Sequence, residues 1–169
     1  AIIGEPTAMQ PIYAHKGVSM ISVQVQGAAG HSSDPSLGHN ALETMHPVMG
    51  ALMQFRDELA QQHQHPSFAV NVPTLNLGCL RAGDNPNRIC GHAELQIDLR
   101  LLPGMDSDAI HKQLEQRCHD AVAGSHTQLT VSTVYPPIPP FESAADGELT
   151  TTLAAPVSYT HLRAHETTD

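Results

Sequence analysis

Five polar side chains stand where the sequence leaves room for chemistry. Glu5 closes the apolar run Ile3-Gly4-Glu5-Pro6-Thr7. A carboxylate at a strand end can ligate a metal; the competing reading is a solvated turn acid. His31 follows the small-residue turn Gly27-Ala28-Ala29-Gly30 and precedes Ser32 and Ser33. A histidine there can donate a hydrogen bond to a developing oxyanion, or it is an ordinary loop histidine. Asn87 and Arg100 flank the third of the strands assigned below. Arg100 is suited to clamp a carboxylate with two parallel bonds, but Asp98 shares its face, so a local ion pair is an equal alternative. Lys16, in His15-Lys16-Gly17, is either a catalytic-face cation or an exposed residue at a hinge.

These residues hang on elements that hydrophobic periodicity makes legible. Residues 18–26 alternate, with Ile21, Val23 and Val25 apolar, and read as a half-buried strand. The segment His31 to Pro35 reads as a loop. A helix of about 20 residues is expected from the N-cap Asn40, with Leu42, Met45, Met49, Leu52 and Leu59 as its stripe. Pro47 lies inside it and is expected to kink or locally break it. Residues 61–66 read as a polar surface connection. Residues 74–80 form a second strand with Leu75, Leu77 and Cys79 on one face, ended by a turn at 82–86.

The third strand, 88–101, has the clearest pattern. Ala93, Leu95, Ile97, Leu99 and Leu101 face one way, and His92, Glu94, Gln96, Asp98 and Arg100 the other. A second helix runs from the N-cap Asp106 to a stop at Gly124, with the stripe Ile110, Leu114, Cys118 and Ala121. A fourth strand covers 128–134, and Pro136-Pro137-Ile138-Pro139-Pro140 is a stiff connector. The order strand, helix, strand, strand, helix, strand is the split βαβ arrangement. It predicts an α+β two-layer sandwich, ferredoxin-like: a four-stranded antiparallel sheet with two helices on one face.

Composition excludes some partners. The chain has 169 residues, 17 acidic and 8 basic, with a formal net charge of −9. That balance argues against nucleic acid, which needs clustered Lys and Arg. No apolar run approaches the ~18 residues of a membrane-spanning helix, and no signal peptide is evident at Ala1. Cys79, Cys90 and Cys118 cannot all pair within one chain and lack a CxxC spacing, which fits a reducing, cytoplasmic setting. The 12 histidines are scattered, with no HExxH spacing.

Taken together, the segments 3–7, 15–17, 30–35 and 38–41, with Asn87-Arg88-Ile89 and Asp98 to Gly104, resemble the lid region of the dinuclear zinc peptidases and deacylases related to aminoacylase. The resemblance runs from about Ala1 to Leu153. It implies a metal-dependent amide hydrolase acting on an N-acyl amino acid, with two zinc ions (cobalt able to substitute) and a homodimer formed through the lid. It maps Glu5 onto a zinc ligand and His31 onto a histidine that reaches the partner subunit's active site. Asn87 and Arg100 map onto groups that hold the substrate. Residues 1–16 would then end a catalytic domain, 17–137 form the lid and 138–155 return to the catalytic domain. The stretch 156–169 has no usable periodicity and reads as a non-native or disordered tail. The family's other metal ligands and its catalytic base have no counterpart by motif in this chain, so this piece alone is expected to be inactive. Desuccinylases, dipeptidases and carboxypeptidases of the same family are the alternatives, as is a non-catalytic dimerisation module.

Overall fold

The computed structural model describes residues 12–152. The chain divides into two compact units. One is Lys16–Pro140. The other joins the two ends of the chain, and its described residues are 12–15 and 141–152. There, β1 (Ala14–His15) pairs antiparallel with β6 (Phe141–Glu142), and the His15 and Phe141 rings stack 5.9 Å apart. This two-stranded ribbon is too short for a periodicity signal, and sequence reasoning missed it.

The larger unit contains β2 (Ser19–Gln26), α1 (Ala41–Gln62), β3 (Thr74–Ala82), β4 (His92–Arg100), α2 (Ser107–Ala121) and β5 (Gln128–Thr133). The sheet order is β3-β4-β2-β5, and every pairing is antiparallel. This is the expected α+β sandwich. Ile21, Val23 and Val25 on β2 and Ala93, Leu95, Ile97 and Leu99 on β4 are all buried. They pack with residues from both helices in one core. A truncation such as Leu99→Ala at its centre should cost about 2–5 kcal/mol.

The opposite sheet face is polar and internally bonded. Ser22 Oγ donates to Glu94 Oε1 at 2.8 Å, and Gln96 Nε2 donates to the same oxygen at 3.1 Å. These amide and hydroxyl donors, Gln96 before Ser22, hold the Glu94 carboxyl below its usual range.

Both helices start where their caps predict. Asn40 Oδ1 accepts the N–H groups of Leu42 and Glu43, and Asp106 Oδ1 accepts that of Ala109. On α1 the buried stripe is Ala41, Met45, Val48, Leu52, Phe55 and Leu59, and Leu42 is exposed. The expected stripe was out of phase at Leu42 because Leu outranks Ala by hydrophobicity while Ala41 fits where the helix meets the sheet. Pro47 does not break the helix, which is continuous from Ala41 to Gln62. Pro47 and Glu43, the residue whose carbonyl loses its intrahelical donor, are both exposed, so water can serve that carbonyl.

A β-bulge corrects the second strand. Leu77 pairs with Ile97, but Cys79 pairs with Gln96, so Gly78 is the extra residue. Cys79 therefore stands opposite a residue of the polar face instead of sharing a face with Leu75 and Leu77. The helices are tied across their exposed side by Arg117, which donates to both oxygens of Glu58 at 3.0 and 2.5 Å and lies 5.2 Å from the Phe55 ring centroid. Burial pushes the Cys118 thiol beneath them up to about 12.

The proline-rich segment is more than a connector. Ile138 forms an antiparallel bridge with Val18, with N–H···O distances of 2.8 and 2.9 Å.

Candidate functional site

The loop from Gly27 to Asn40 carries His31 and is braced on both sides. Ala28 and His39 exchange backbone bonds of 3.0 and 2.8 Å across its neck. The segment ahead of β4 runs alongside: Ile89 N–H donates to Gly30 O at 2.8 Å, and Ser32 N–H to Asn87 O at 3.0 Å. Gly27 is required at the neck, because a Cβ there would lie 2.0 Å from His39 O. Past His31, Asp34 caps a single 3₁₀ turn (Pro35–Leu37), accepting the Ser36 hydroxyl at 2.6 Å and its N–H at 3.0 Å. Those two donors, the hydroxyl first, hold the Asp34 carboxyl below its usual range.

Within this frame the His31 ring is oriented. Its Nδ1 accepts the backbone N–H of Ser33 at 3.2 Å and lies 2.8 Å from Ser33 Oγ. An amide can only donate, so Nδ1 is the acceptor nitrogen and the ring proton of the neutral imidazole sits on Nε2. The exposed ring thus offers an N–H outward. Asn87 is brought beside it by the Ser32–Asn87 backbone bond, and the Asn87 side chain has no hydrogen-bond partner among the described residues. The Asn87 turn is itself fixed: Asn85 Oδ1 accepts Asn87 N–H at 3.1 Å, and Arg88 pairs with Asp84 at 2.6 Å.

Arg100 is not part of this cluster. It ends β4, eight residues past His92, which places it roughly 26 Å from the end of the strand nearest His31. Its Nε donates to Asp98 Oδ2 at 2.9 Å, so the ion pair weighed from sequence is present. Lys16 is neither a free cation nor an exposed hinge residue. It is half-buried, donates to Val72 O at 2.7 Å and lies 5.9 Å from the Phe68 ring centroid. Burial lowers its pKa. Its work is to hold the loop between α1 and β3, a tertiary contact that no local pattern announces.

Glu5 lies outside the described residues. Among the described residues no group of three or more His, Cys, Asp or Glu could hold a metal ion, so they do not by themselves fit a dinuclear centre. A groove of about 540 Å³ lies behind the loop, lined by Ser32, His39, Asn40, Arg88 and His126 among others. The His39 and His126 rings stand 5.0 Å apart there. Neither His31 nor Asn87 lines it. Both are exposed on the outside of the fold.

Residues 13–125 match the family described as peptidase dimerisation domain. The chain is 46% identical over 145 residues to an acetylornithine deacetylase of Vibrio atlanticus, covering 86% of this chain and 38% of that protein. It is also 46% identical over 149 residues to the acetylornithine deacetylase of Klebsiella pneumoniae, covering 88% and 39%. The chain therefore spans under half the length of these curated relatives. Among solved structures, a hydantoinase/carbamoylase family amidase from Burkholderia ambifaria superposes with a TM-score of 0.66 at 17% identity, covering 87% of this chain and 34% of that one. A tripeptidase from Staphylococcus aureus gives 0.59 at 16%, covering 86% and 35%. At such identities the likeness is one of fold.

Proposed function

Because the chain belongs to the peptidase dimerisation domain family, we propose that it is the lid of a metal-dependent amide hydrolase that removes the acetyl group from N-acetylornithine, a cytoplasmic step of arginine biosynthesis. The observation that carries this reading is the opposition of two polar groups along one sheet. His31 and Asn87 stand beyond the His92 end of β4 and Arg100 at its other end, so the length of that strand, roughly 26 Å, lies between them. A small amino-acid derivative cannot reach both in one protomer. In a homodimer, Arg100 of one protomer and His31 with Asn87 of its partner can serve the same substrate.

The roles follow from the donor geometry. Arg100 takes the substrate carboxylate. His31 donates its Nε2 proton toward the oxygen that becomes negative as the acetyl carbonyl turns tetrahedral, and the Asn87 amide adds a second polar contact. A donor already oriented in this way needs no reorganisation as charge develops, and its loss costs about 2.7–4 kcal/mol in comparable sites. Zinc, two ions with cobalt able to substitute, is the cofactor of this reading. Glu5 is the residue proposed as a ligand, and no step is derived through the metal. Support for acetylornithine over the family's other substrates comes from the relatives at 46% identity.

The dimer contact is proposed on α1 and the β3 edge. Leu42 and Met53 are exposed large apolar side chains on α1, with the half-buried Met49 between them on the same side. Gly50 shares this exposed side with nothing within 4 Å of a Cβ position. A mid-helix glycine costs about 1 kcal/mol relative to alanine, and close approach of a second helix accounts for it.

The test is an assay of the complete polypeptide containing this chain, with N-acetylornithine and added zinc. Hydrolysis is expected. Inactivity on every N-acyl amino acid tried would leave a non-catalytic dimerisation module as the better account.

A further inference from the structure

We propose that Asp98 is a positioning residue that fixes the Arg100 guanidinium end-on to the substrate carboxylate. The proposal rests on the reading above that Arg100 binds that carboxylate.

Asp98 and Arg100 lie two residues apart on β4, so both side chains rise from the same sheet face. A guanidinium can take a carboxylate in two bidentate ways: side-on through Nε and one Nη, or end-on through both Nη atoms. Here the side-on edge is closed. Arg100 Nε donates to Asp98 Oδ2 at 2.9 Å. Neither Nη has a partner among the described residues, and the side chain is 38% exposed. The end-on pair is thus the free one, and it points away from the acid that holds Nε.

The other oxygen of Asp98 argues that this acid is kept for function. Oδ1 is buried and has no hydrogen-bond partner. A carboxylate oxygen in that condition is a stability cost. The ion pair does little to repay it, because pairs this exposed contribute little. The strand neighbours of Asp98 are Met20 on β2 and Asn76 on β3. Neither carries a charge, so nothing beside Asp98 on the sheet demands a counter-ion except Arg100. An alanine or threonine would fill the position at less cost, and what they could not do is hold the guanidinium still.

The experiment uses the complete polypeptide and two substrates, N-acetylornithine and its α-carboxamide. Asp98→Ala should raise KM for the carboxylate substrate about tenfold, the scale of one charge-assisted hydrogen bond. It should leave kcat within about twofold and KM for the carboxamide unchanged. Asp98→Asn keeps an acceptor for Nε and should recover most of the lost KM. The double variant Asp98→Ala/Arg100→Ala should be no worse than Arg100→Ala alone, because Asp98 acts through Arg100. Equal losses on both substrates, or losses that add in the double variant, would overturn the proposal and leave Asp98 a structural residue. If Arg100→Ala itself left KM for the carboxylate substrate unchanged, the proposal would fall with the role of Arg100, and the fault would lie in that reading.

Discussion

His31 accepts the backbone N–H of Ser33 on its Nδ1 at 3.2 Å, with the Ser33 hydroxyl 2.8 Å from the same nitrogen. The bond chooses the tautomer, and the tautomer makes the ring a donor. In the complete polypeptide, His31→Ala is therefore expected to lower kcat by about 10²–10³, as removal of one oxyanion donor does, with metal content unchanged. Ser33→Ala leaves the amide donor in place and should cost less than about tenfold. Steady-state kinetics with metal analysis reads both. A kcat untouched by His31→Ala would remove the residue from the mechanism.

The separation of His31 from Arg100 makes a second expectation possible. Full-length His31→Ala and Arg100→Ala proteins should each be impaired alone. Mixed under conditions that exchange subunits, they should regain up to about a quarter of wild-type activity, since half the dimers are mixed and each has one intact site of two. No recovery despite proven exchange would place both residues in the same protomer's site.

The exposed α1 stripe should be an interface. Met53→Glu puts a charge where Met53 is 40% exposed, so the isolated fold should tolerate it. Light scattering should show dimer for the parent and monomer for the variant, with an unchanged circular dichroism spectrum. A Met53→Glu dimer as tight as the parent would move the interface elsewhere.

Stability should depend on acid through Glu58. Arg117 first, with Gln54 assisting, holds the Glu58 carboxyl below its ordinary value of 4.5. A carboxylate whose pKa is lower folded than unfolded stabilises the fold above the unfolded value and loses that contribution as pH falls through the folded one. Chemical denaturation should show Glu58→Gln less stable than the parent at pH 7. The two should converge as pH drops below about 4.3, the unfolded glutamate range. A gap that persists undiminished at pH 2 would mean that packing, not charge, is lost.

The neck of the His31 loop has no room for a side chain at Gly27. Gly27→Ala would place a Cβ 2.0 Å from His39 O, which forces the Ala28–His39 backbone pair apart. The variant should unfold at a lower temperature, by several degrees for a loss of about 1 kcal/mol in a domain of this size. It should also expose the amide of Ala28 to hydrogen exchange. Unchanged protection at Ala28 would show that the neck yields without opening.

How much of this was legible beforehand depended on whether the controlling contact was local. The facing pattern of β4 was read because one side of it is core and the other is not, although the strand starts at His92 and not at 88, where the chain instead runs beside the His31 loop. The caps Asn40 and Asp106 were read because their partners lie two or three residues away. The α1 stripe slipped at Leu42 and Ala41 because burial there is decided by how closely helix and sheet approach. The Gly78 bulge and its consequence for Cys79 depend on pairing with β4, which alternation within β3 cannot reveal. Lys16 was misjudged because its partner, Val72, is 56 residues away. At the site, motif resemblance named His31 and Asn87 as candidates, but their adjacency comes from a backbone bond between segments that no spacing connects.

The bridge between Val18 and Ile138 also says something about how such a unit can travel. Gly17, one residue earlier, lies so close to the returning chain that a Cβ would meet the Pro140 ring at 2.8 Å. The points where Lys16–Pro140 begins and ends are therefore stitched side by side. A unit whose two ends leave together can be spliced into a surface loop of a host domain, or excised from it and the gap closed by a few residues, without prying either partner open. In that sense the bridge is a clasp that holds the two ends of this unit together.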